Sequence, residues 1–133
     1  MKPIFTFLFA TIFLSGCSLS NHEENHDEKG VRLGTGLMTF DTVPSWGLGA
    51  NGKSQIGPTH GGVAIGKDGT VYTSADRGVY ALSPDGKILR SFIEEPYTKL
   101  HDIEIRNENG TEYIYGARNA NKEGIKFNAK DGN

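Results

Sequence analysis

Two of the four histidines in this chain of 133 residues, His60 and His101, open closely similar stretches. They stand 101 − 60 = 41 positions apart, in Thr59-His60-Gly61-Gly62-Val63 and Leu100-His101-Asp102-Ile103. A neutral imidazole can ligate zinc, or hydrogen-bond a bound molecule, once the fold brings its partner close. Zinc in a catalytic centre normally takes three protein ligands and a water, so this pair is not a full set. Asp76, Arg77 and Arg118 add a carboxylate and two guanidiniums, groups suited to holding a charged ligand. Each has a plainer use beside the chemical one. A histidine at a strand start can bond to neighbouring backbone, and Asp76 with Arg77 can form a local turn pair. Arg118, in the polar run Arg118 to Glu123 (RNANKE), can be solvated surface. No catalytic residue is assigned.

The elements that must position these groups are set by a repeat. The stretch from His60 to Phe92 is echoed from His101 to Asn133, and Asp85-Gly86 returns as Asp131-Gly132. Turn chemistry at Asp68-Gly69 and Pro84-Asp85-Gly86 divides the first copy into short strands at 62–65, 70–74, 79–83 and 87–92. The second copy divides at 102–106, 111–117 and 124–128. A period in the low forties built from short strands predicts an all-β fold, a β-propeller, with about two of its blades present. In that architecture the inner strand of every blade starts at one mouth of the central channel. His60 and His101 are then expected to converge there, with Asp76, Arg77 and Arg118 on loops of the same face, as a ligand funnel.

The tyrosines at 72, 80, 113 and 115 are expected to pack between blades. Residues 31–57 precede the repeat, and Leu37–Val43 alternates as one strand, suited to completing a last blade. Asn133 aligns with Lys87, where a fourth strand is due, so the chain is expected to be a fragment of a longer propeller.

The pattern G-V-A-I-x-x-D-G-T-V-Y followed by R-G-V-Y-x-L-x-P-D-G-K is similar to the NHL-type repeats of six-bladed propellers. It covers residues 58–133. Within that group, the His-Gly and His-Asp-Ile contexts resemble the peptidyl-hydroxyglycine amidating lyases, which carry zinc on histidines opening inner strands. That resemblance implies zinc as a cofactor, with His60 and His101 as two of its ligands. The same fold also serves as a binding or scaffold module, and a fold does not decide between these roles.

The N-terminus carries an address. Lys2 precedes an apolar run from Ile4 to Leu14, too short to span a bilayer comfortably and laid out as a secretory signal. Leu14-Ser15-Gly16-Cys17 looks like a bacterial lipobox, which implies cleavage before Cys17 and its lipidation. The expectation is a signal peptide over 1–16 and a mature chain of 133 − 16 = 117 residues, anchored by acyl chains in the cell envelope. Residues 17–30 are polar and acidic, without aromatics, and read as a flexible tether. His22 and His26 in it, among acidic residues, read as solvated linker rather than a metal site.

Composition narrows the classes further. Lys and Arg number 14 against 16 Asp and Glu, a formal charge of −2, without the basic excess of a nucleic-acid binder. No cysteine follows Cys17, so the folded part has no disulfide. No phosphate-cradling loop, nucleophile elbow or HExxH helix occurs in the sequence. The sequence therefore supports an exported, membrane-anchored propeller that binds a carbohydrate, peptide or protein, with a zinc-dependent lyase or hydrolase as the alternative.

Overall fold

The computed structural model describes residues 29–133. The signal peptide, Cys17 and most of the expected tether lie outside them, as does the side chain of His60. The described residues form an all-β structure of three antiparallel sheets, none closed on itself. A two-stranded ribbon pairs β1 (Arg32–Thr35) with β2 (Met38–Asp41). The first sheet follows as a meander of β3 (Thr59–Ile65), β4 (Val71–Ala75), β5 (Gly78–Leu82) and β6 (Ile88–Ile93). The second is β7 (Asp102–Glu108), β8 (Thr111–Arg118) and β9 (Glu123–Asn128), also in sequence order.

Local chemistry accounts for the meanders. Between β3 and β4 the Asp68 carboxylate accepts the Thr70 N–H at 2.9 Å, and Gly66 N–H donates to Thr70 O at 2.9 Å. Asp76 and Arg77 are the two-residue turn joining β4 to β5, with Ala75 and Gly78 paired across it. At the next turn Ser83 and Lys87 close the strands, Ser83 N–H donating to Lys87 O at 2.8 Å and Lys87 N–H to Ser83 Oγ at 3.1 Å. Asp85 there is held down to about 2, chiefly by Lys87 and then by the Ser83 hydroxyl.

The two sheets pack face to face with β3 beside β7. Gly62 permits the approach, because a Cβ there would lie 2.6 Å from the Ile103 backbone nitrogen. Ala64, Tyr72, Val79, Ala81 and Phe92 of the first sheet meet Ile103, Ile114 and Phe127 of the second, with Leu100 from the connection sealed between them. Phe92, Tyr97 and Phe127 form an aromatic trio, the edge-on pairs at 5.4 and 5.0 Å between ring centres. Polar ties cross the same interface. Tyr97 donates to Gly132 O at 2.7 Å, Tyr72 to Ala129 O at 3.2 Å, and Lys67 N–H to the Glu112 carboxylate at 3.0 Å.

On the first sheet's other face, Trp46 and Ile56 from residues 44–57 cover Ala75, Tyr80 and Leu82. Trp46 is fixed by its indole N–H donating to Pro84 O at 2.9 Å.

Two expectations are corrected. The single strand read over Leu37–Val43 is instead half of the β1–β2 hairpin. Gly36, at φ +61°, opens the turn, which is the residue a tight two-residue hairpin loop of type II′ requires first. Tyr72 and Tyr80 are buried as packing residues, but Tyr113 and Tyr115 stand half-buried on the outward face of the second sheet.

Candidate functional site

The sequence-distant groups are gathered where β3 and β7 begin. His60 is the second residue of β3, and the position of a Cβ on Gly61 lies 3.9 Å from His101 O, so the two strand starts run side by side. The turn carrying Asp76 and Arg77 is tied to the same end, because Thr59 pairs with Ala75 and Asp76 N–H donates to Pro58 O at 3.1 Å. His101 is anchored by its own N–H to Ala117 O at 2.8 Å, and its ring is exposed. Asp102 follows, its carboxylate accepting the Ile103 N–H at 2.9 Å. Asp76 and Arg77 are exposed as well.

Arg118 behaves otherwise. It is the last residue of β8 rather than a loop residue, and its side chain is only 6% exposed. One guanidinium nitrogen donates to Glu123 at 2.7 Å across the β8–β9 ladder, and another to Glu95 from the connection after β6. Its Nε is buried without a hydrogen-bond partner among the described residues. The expectation of a ligand-facing Arg118 is therefore corrected. Its charge is taken up in fastening the β6–β7 connection to the second sheet.

Whether these residues fit zinc can be judged from the donor set. Among the described residues no three His, Cys, Asp or Glu side chains are gathered to hold a metal ion. His101 is one exposed donor at this end, and its expected partner His60 has its side chain outside the described residues.

The sequence reading missed a second feature beside Asp102. The outward face of the second sheet holds a shallow depression of about 460 Å³, bordered by Asp102, Glu104, Tyr115 and Lys126 and floored by Ala117 and Gly124. The ladder explains the grouping: Asp102 pairs with Ala117 and Ala117 with Gly124, while the next row is Glu104, Tyr115 and Lys126. Small residues in one row and long ones in the next leave a notch.

The long side chains are fixed by one another. Lys126 Nζ lies 2.6 Å from Glu108 and 4.2 Å from the centre of the Tyr113 ring, and Arg106 pairs with Glu104 at 3.1 Å. Tyr115 donates its hydroxyl to Glu108. Glu108 is held below the usual carboxylate range by Lys126 first and Tyr115 second, and Lys126 is raised in turn. An aromatic flank with carboxylates and an ammonium around a notch can hydrogen-bond and stack a polar ligand. The readable signal was the period-two run Asp102, Glu104, Arg106, Glu108, which puts four charges on one face.

The opposite end of the inter-sheet seam has a crevice of about 360 Å³ bordered by Asp68, Tyr72, Arg90 and Glu112. Arg90 is engaged there with Ala129 O at 3.2 Å and with the Tyr72 hydroxyl. Burial pushes that hydroxyl above its ordinary pKa.

Comparison of the chain with known family models, with curated proteins and with solved structures finds no match.

Proposed function

We propose that this chain is an exported, lipid-anchored protein of propeller type that binds a polar ligand, a carbohydrate or peptide, where β3 and β7 begin. One observation carries the reading. The adjacent starts of β3 and β7 bring His101, the Asp76–Arg77 turn and Asp102 to a single end, leading into the notch beside Tyr115. Exposed imidazole, carboxylate and guanidinium groups on a rigid sheet end recognise hydroxyls and charged termini at small ordering cost. The two-sheet meander supports a propeller, because successive blades pack in this order with their inner strands adjacent.

The test is direct binding of the purified protein to glycan and peptide arrays, followed by titration of the best ligand. His101→Ala and Tyr115→Ala should each weaken that ligand about tenfold, the loss of one good contact. Unchanged affinity in both sinks the reading.

A zinc-dependent lyase or hydrolase is the second reading, favoured by the closeness of the β3 start to His101. Zinc stoichiometric with protein, and lost in both His60→Ala and His101→Ala, would select it. The anchor is tested separately: Cys17→Ala should release the protein from the membrane fraction.

A further inference from the structure

The β1–β2 hairpin is amphipathic, and its apolar face is covered by nothing among the described residues. The register pairs Leu33 with Phe40 and Thr35 with Met38, placing Leu33, Met38 and Phe40 on one side. Val31 extends that side next to Thr42, and Leu37 is fully exposed at the tip. Met38 and Phe40 are 67% and 62% exposed. The other side carries the Arg32–Asp41 pair, doubly bonded at 2.8 and 2.7 Å, and Thr39 opposite Gly34. An isolated two-stranded ribbon is marginal in water, and an apolar face of this kind marks a contact with something apolar.

We propose that the hairpin tip is a membrane contact, inserting Leu37, Met38 and Phe40 into the outer zone of the bilayer to which the chain is anchored. This rests on the lipid-anchor reading of Cys17. Arg32 lies 32 − 17 = 15 residues after Cys17. At about 3.5 Å per extended residue, the base of the hairpin stays within about 50 Å of the acylated residue. The bilayer is thus always within reach, whereas a second copy must be met by diffusion.

The layout of the hairpin fits the same occupant. Leu37 and Met38 stand at its tip with Phe40 behind them on the apolar side, and its one ion pair lies on the opposite side, one rung further from the turn than Phe40. A ribbon with two open edges must keep its backbone groups bonded to water or headgroups, so only the side chains of the tip enter, to the depth of an interfacial element. With no basic residue at the tip, the contact needs no anionic lipid and is insensitive to salt.

The experiment places a reporter on each side of the full-length, anchored protein in phosphatidylcholine vesicles. Leu37→Trp reports the tip and Thr39→Trp the polar face, with Trp46 adding the same background to both. Brominated lipid should quench the tip reporter about threefold more than the Thr39 reporter, and iodide in the water should do the reverse. The contrast should persist at high salt. Equal quenching at the two positions overturns the proposal. So does an emission shift of the tip reporter that appears without vesicles and grows with protein concentration, which would assign the face to a second copy. Mass spectrometry of Cys17 reads the anchor on its own, so an unacylated cysteine sinks that reading while the quenching contrast still decides the hairpin.

Discussion

The first sheet turns Ala75, Tyr80 and Leu82 outward, under Trp46 and Ile56, whereas the second turns Glu104, Arg106, Tyr115 and Lys126 outward. Between them, the inward faces are alike: Ala64, Val79 and Ala81 on one side meet Ile103, Ile114 and Phe127 on the other. Two copies of one strand pattern therefore bury an apolar inner face in both sheets and treat the outer face differently. An apolar face is stabilised when something removes it from water, and residues 44–57 do so for Ala75, Tyr80 and Leu82 while Val63 and Ile65 on β3 stay exposed. A charged face is stable in water because its charges stay hydrated, and Arg106 with Glu104 and Lys126 with Glu108 add a small contribution by pairing. The difference separates a face that takes a cover from one that stays open to water.

The sharpest break in this comparison sets Ile114 against Ile65. Ile114 is completely buried between the sheets, and Ile114→Ala should cost about 2–5 kcal/mol, seen as a lower urea midpoint. Ile65, on the outward face of β3, is 64% exposed, and Ile65→Thr should change stability by about 0.5 kcal/mol or less. If Ile65→Thr costs as much as Ile114→Ala, the outward face of β3 is covered in solution and the comparison fails.

A smaller effect is expected at the cover itself. Trp46→Ala removes the indole packed on Tyr80 and Leu82 and its bond to Pro84, and should cost about 1–3 kcal/mol. Amide exchange should show it as faster opening of β5 and β6, with β7 to β9 unaffected. Equal loss of protection in both sheets would mean that the cover stabilises the whole unit rather than one face.

These contrasts also mark how far the sequence could be read. The strands from Thr59 to Asn128 follow from period-two alternation and turn residues, which act within a few positions of each other. The outward placement of Tyr113 and Tyr115 was legible in principle from the charges at 102, 104, 106 and 108, because neighbours on a ladder share a face.

Arg118 was not legible. The run around it is polar, and its burial depends on Glu95, which comes from a connection 23 positions earlier. The hairpin was half legible: Leu37–Val43 alternates, but its partner Arg32–Thr35 is interrupted by Gly34, and Gly36 was the turn signal.

The smallest expected effect tests the charged face by pH. Glu108 has its pKa lowered in the folded protein, by Lys126 foremost and then by Tyr115. A depressed carboxylate pKa means that the unfolded chain binds the proton more readily, so its contribution is present above the unfolded value of about 4.3. It is lost as pH falls through the lower folded value. Glu108→Gln should therefore lower the melting temperature slightly at pH 7, and the gap to the parent should close on acidification below pH 4. The first sheet offers a control in Trp46→Ala, whose deficit carries no ionisable group and should persist across the same range. A Glu108→Gln deficit that also persists at low pH would show that the carboxylate contributes through shape and hydrogen bonding alone, and the Glu108–Lys126 pair would then owe nothing to charge.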